Sequence, residues 1–164
     1  MRRKMLVIAA AALGMLFNPA FAADDEPLMR LALCKDSWVD WQKKEPARLQ
    51  AFAERFRTQF APHDNDPFAL PKTKVSVLGF NVAQAFPESV GMGVGFSLTV
   101  DAKFDEARQA VEKAIGKTLK HCESGEDMKT CDYQIAPQRT VMLLSEDKPT
   151  ARQTLIGCYY FYEK

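Results

Sequence analysis

From Val90 to Val100 every even position is apolar, and the odd positions carry only glycine, serine or threonine before Asp101 closes the run. Side chains alternate across a strand, so this pattern makes one apolar face and one nearly bare face. At about 3.3 Å per residue, residues 90–101 would reach roughly 35 Å, longer than most strands. The run predicts the central strand of a sheet, with Met92, Val94, Phe96, Leu98 and Val100 beneath helices. A second strand is predicted from Lys74 to Phe86, where Gly79 marks a bulge or bend. Pro87-Glu88-Ser89 then turns the chain, making the two strands an antiparallel hairpin.

Elsewhere the period changes to three and four. Leu28, Leu31, Cys34, Trp38 and Trp41 mark a helix from Pro27 to Lys43, behind an acidic start that suits the helix dipole. Lys44-Glu45 breaks it, and Pro46 opens a second helix with an apolar stripe of Leu49, Phe52, Phe56 and Phe60. Residues 61–71 have turn composition and read as a loop. A third helix spans Phe104 to Ile115 and stops at Gly116. Strands follow at 117–122, 130–136, 139–145 and 152–162, separated by an exposed loop at 123–130, a turn at Pro137-Gln138 and a loop at 146–149. Segregated helices and consecutive strands predict an α+β fold with a mainly antiparallel sheet. Two N-terminal helices and one further helix pack on one face, and the other face has less obvious cover.

The first 22 residues change the picture. Arg2-Arg3-Lys4, an apolar run from Met5 to Phe17 and Ala20-Phe21-Ala22 have the form of a cleaved secretory signal peptide. The apolar run is too short to span a bilayer comfortably. Leu31-Ala32-Leu33-Cys34 resembles a lipoprotein box, but Leu33 is too large for it and acidic residues interrupt the segment. Removal of the leader leaves residues 23–164 as one domain-sized unit of 142 residues. Losing three basic residues takes the formal charge from +1 to −2, which offers no footprint for nucleic acid or anionic membrane. The short basic leader places the protein in the bacterial periplasm.

An oxidising compartment makes Cys34, Cys122, Cys131 and Cys158 two disulfides, with three connectivities open. Pairing Cys122 with Cys131 across the polar loop leaves Cys34 to join Cys158. No Cys-x-x-Cys pair supports a zinc site.

Catalytic signals are weak. His63 stands beside Asp64 and Asp66 in turn-forming sequence, and the glycine and distal glutamate of a calcium loop are missing. His121 adjoins Cys122, which as a disulfide offers no thiolate to activate. The glycines at 91, 93 and 95 fit neither a Walker loop nor a dinucleotide fingerprint. No cofactor is expected. Two features suit recognition of another protein. Glu123, Glu126 and Asp127 form an acidic tip that a disulfide would stiffen before binding. Tyr159, Tyr160 and Tyr162, with Phe161, form the densest aromatic cluster, and alternation splits Tyr159 from Tyr160 and Tyr162. The expectation is a non-enzymatic periplasmic protein-binding module, of the inhibitor or toxin-neutralising kind. The alternative is a small envelope hydrolase or carbohydrate-active protein using paired carboxylates.

Overall fold

The computed structural model describes residues 23–63, 66–90 and 93–161. The expected leader, Asp64, Gly91, Met92 and Tyr162 therefore lie outside the described residues. Asp25 caps the first helix, α1 (Glu26–Ala32), by accepting from the Leu28 amide at 3.2 Å. Sequence spacing carried this helix on to Lys43, but the chain leaves it after Ala32 and restarts as α2 (Trp38–Lys44). Cys34 takes a left-handed φ of 57°, and the Ser37 hydroxyl caps α2 through the Asp40 amide. Asp36 braces the break, accepting from Arg30 at 2.6 Å and from Arg48 at 2.8 Å. A cap residue and a charged clamp override the apolar period there.

In α3 (Pro46–Gln59) the phenylalanine stripe is half-buried against the sheet, with Phe52 and Phe96 6.0 Å apart edge to face. Phe60 has already left the helix. It starts β1 (Phe60–Pro62), which pairs with β2 (Ala69–Pro71) where a plain loop was expected. The strand expected at 74–86 is itself a hairpin of β3 (Ser76–Val77) and β4 (Phe80–Phe86). Leu78 and Gly79, with φ of 55° and 79°, form its two-residue turn, so Gly79 marks a reversal and not a bulge.

The next reversal is displaced too. β5 (Ser89–Val90) pairs with β6 (Gly93–Val100), Val90 opposite Gly93, so the hairpin turns beyond Val90 instead of at Pro87–Ser89. Val90 thus belongs to the arm facing the central strand. After α4 (Phe104–Ile115), which stops at a left-handed Gly116, come β7 (Lys120–Ser124), β8 (Met128–Ala136), β9 (Arg139–Glu146) and β10 (Thr154–Tyr160). Strands β7 and β8 extend into the expected loop and shrink its tip to Gly125–Asp127.

The fold is α+β, the described residues forming four helices and a ten-stranded antiparallel sheet in the order β1-β2-β4-β6-β10-β9-β8-β7, β3 and β5 adding to β4 and β6. Strand β6 lies inside it, between β4 and β10. The helices cover one face, where Phe96, Leu98, Val100, Ile156, Val141 and Leu143 are completely buried with Leu31, Ala107 and Val111. Burial of each large side chain contributes roughly 1.5–3 kcal/mol. Val94 departs from the expected pattern and is 39% exposed, because β6 runs past the helical layer at its start. Both disulfides form as expected, Cys34–Cys158 with Cα atoms 5.0 Å apart and Cys122–Cys131 at 4.1 Å. No helix among the described residues is long and apolar enough to cross a membrane.

Candidate functional site: the open face of the sheet

Antiparallel register sets the outer face in rows. Thr99, Leu155, Leu144 and Thr130 form one row across β6, β10, β9 and β8. Ser97, Gly157, Met142 and Asp132 form the next, and Gly95, Tyr159, Thr140 and Gln134 the third. Among the described residues no helix packs on these rows. Over β8, β9 and the end of β10 they enclose a shallow hollow of about 700 Å³, with Met142, Leu144 and Phe161 supplying apolar surface and Asp132 and Gln134 the polar rim.

The glycines of β6 turn out to be covered seats. A Cβ at Gly93 would run into the Tyr159 ring, and one at Gly95 into the Cys158 carbonyl. The Val90 methyl lies 2.7 Å from the place a Gly95 Cβ would occupy and 2.9 Å from that of Gly157. Val90 is accordingly buried, and Ser97 beneath the same arm donates its hydroxyl to the Ser89 carbonyl at 2.7 Å. Glycine is required here for close approach of a neighbour.

Tyr159 and Phe161 meet edge to face at 4.5 Å, and Phe161 remains 47% exposed. Tyr160 points to the helical side, 5.8 Å from Trp38, and belongs to the core. Burial pushes its hydroxyl up to about 12, only partly offset by the polar groups of Ser37 and Trp38 beside it. Tyr159 is thus the one member of the expected tyrosine trio that the described structure places on this face.

On the far rim, the β7–β8 register slips between Lys120 and Glu123, leaving His121 in a left-handed conformation at φ 45°. Such bulges re-aim side chains. The His121 ring nitrogen Nδ1 lies 3.0 Å from Asp132 Oδ1, and the Cys122–Cys131 bond crosses the sheet edge beside it. The acidic tip is elsewhere. Glu123, Glu126 and Asp127 are exposed and lie at the opposite end of β8, about 27 Å along the strand from Ala136. No ion pair engages them among the described residues. The structure therefore separates the acidic and aromatic candidates.

Sequence reading missed Met142, Leu144 and the His121–Asp132 pair. Alternation of Thr140, Met142 and Leu144 against Val141 and Leu143 carried a signal for the first two. The histidine pair arises only through the bulge. At the opposite end a hollow of about 820 Å³ includes Asp101, Glu106 and Glu146. Each of these carboxylates is engaged: Asp101 by Gln153, Glu106 by the Lys103 amide, Glu146 by Lys148. His63 is likewise occupied as a loop brace, 2.7 Å from Asp66 and stacked on Phe68. No group of three metal-ligating side chains forms among the described residues. Comparison with protein-family models, with curated proteins and with solved structures finds no match.

Proposed function

We propose that the protein is a non-enzymatic, exported binding module of the bacterial periplasm that recognises another protein through the open face of its sheet. An inhibitor or toxin-neutralising factor is the kind of protein meant. The observation that carries the reading is the uncovered hollow around Tyr159, Phe161, Met142 and Leu144 on a sheet stapled by two disulfides. Interface cores favour aromatic residues and methionine surrounded by a polar rim, and a stapled scaffold loses little entropy on binding. The basic leader and paired cysteines support export. The hydrolase alternative would need two free carboxylates in one hollow, and those of the Asp101 hollow already accept bonds.

The test uses the protein as bait against envelope extract and against the secretome of competing bacteria, with Met142→Glu and Phe161→Ser as matched controls. A stoichiometric partner that both variants lose while keeping their circular dichroism and melting temperature supports the reading. Equal capture by wild type and variants sinks it, and so does capture of nothing from either source.

A further inference from the structure

A second cavity, on the helical side, carries chemistry that partner recognition does not use. It opens between the start of α2 and the β8–β9 turn, with a volume of about 450 Å³, within the range of small-molecule sites. Val39, Pro137 and Phe161 supply apolar wall, Arg139 and Lys43 supply positive charge, and Tyr160 lines its inner end.

Three features make it a built site. Tyr160 is 95% buried, and among the described residues its hydroxyl has no partner at full hydrogen-bond geometry, the Ser37 side chain and the Trp38 backbone being the polar groups beside it. Folded proteins rarely leave a buried hydroxyl unmatched. Arg139 is held loosely, its Nη1 3.4 Å from the Cys34 carbonyl and 3.9 Å from Asp40 Oδ2. Its Nε and Nη2 donate to no protein acceptor among the described residues. Lys43 forms no ion pair there either. Against these donors stands one half-exposed carboxylate, Asp40.

We infer that this cleft binds an organic carboxylate carried on an apolar stem. The arginine fork matches a carboxylate in geometry as well as charge, and charge-assisted bonds of that kind are the strong ones. The Tyr160 hydroxyl donates to the same oxygens, and the stem rests on Val39 and Pro137. An amine would find only Asp40, and an amide would present one acceptor where the cleft offers several donors. This inference stands apart from partner recognition, although Pro137 and Phe161 line both hollows.

The experiment titrates 3-phenylpropionate into the disulfide-bonded protein and follows amide and arginine side-chain NMR signals, with 3-phenylpropanamide and 3-phenylpropylamine as controls. Saturable shifts are expected at Val39, Gln138 and the Arg139 Nε–H, with the amide and the amine at least tenfold weaker. Tyr160→Phe should keep the fold and weaken the carboxylate about fivefold or more. Lys43→Gln, on an exposed side chain, should weaken it two- to fivefold and flatten its salt dependence. If Tyr160→Phe fails to fold, the carboxylate-to-amide ratio and Lys43→Gln decide. Non-saturating shifts, equal binding of acid and amide, or affinity unchanged in Tyr160→Phe overturn the inference. An ordered water alone on the Tyr160 hydroxyl at saturating 3-phenylpropionate does so too.

Discussion

Phe96, Leu98 and Val100 are fully buried beneath the helices, while Gly95, Ser97 and Thr99, their neighbours on the same strand, face the other way. The inner face spreads its bulk evenly, with large residues in every row of β6, β10 and β9. The outer face concentrates bulk to one side. Glycine and hydroxyl residues line β6, and Tyr159, Phe161, Met142 and Leu144 gather on the β10 and β9 side around one hollow. Even filling gives a core, because close packing on all sides removes the most apolar area from water. Uneven filling leaves a hollow with apolar walls and a polar rim. One strand thus serves stability on one side and a candidate interface on the other, and variants of the two should separate these roles.

The largest separation lies in the disulfides. Cys34–Cys158 ties the α1–α2 break to the inner face of β10 over 124 residues, whereas Cys122–Cys131 closes nine residues at the sheet edge. On the chain-entropy account the first stabilises by about 5 kcal/mol and the second by about 2.5 kcal/mol. Urea unfolding of the two Cys→Ser double variants should show losses in that order. The edge variant should retain the β6–β10 amide protection in hydrogen exchange. Equal losses would mean that the helical layer is anchored by packing alone.

A smaller effect tests the inner face at its margin. Burial raises the folded-state pKa of Tyr160 to about 12, above its usual value near 10. The neutral phenol is therefore favoured by folding. Its contribution is complete below pH 10 and is lost as the pH rises from about 10 to 12, a swing of about 2–3 kcal/mol. Stability measured across that window should fall in the wild type and fall less in Tyr160→Phe. Identical alkaline limbs would place the hydroxyl in contact with solvent.

Most of the inner face was legible in the sequence, because burial against helices imposes strict periods: the Phe96–Val100 alternation and the Phe104–Val111 stripe both translate directly into core. The breaks were harder to read. Cys34 has helical spacing, yet its bond to Cys158 and the Ser37 cap end the helix around it. Leu78-Gly79 reads as strand until the Val77–Phe80 pairing makes it a turn. The outer hollow depends on register across four strands, and register is set by long-range pairing that local spacing does not encode. The glycines illustrate the limit most clearly: composition shows that side chains are missing, and only the structure shows that Val90 and Tyr159 fill their places.

That filling yields the smallest test and the one most specific to the outer face. At Gly95 an added methyl meets the Cys158 carbonyl and the Val90 side chain, one of them rigid backbone in the centre of the sheet. At Gly93 the three nearest atoms all belong to the ring of Tyr159, a half-exposed side chain that can swing towards solvent. Overpacking against a fixed neighbour typically costs about 1–3 kcal/mol, so Gly95→Ala should destabilise by that amount. Gly93→Ala should lose less than about 1 kcal/mol. Its consequence should appear in binding instead, because moving Tyr159 reshapes the hollow beside Phe161. Thermal unfolding and partner affinity measured on both variants distinguish the cases. If Gly93→Ala proves the more destabilising, Tyr159 is locked in place and the outer face is as tightly packed as the inner.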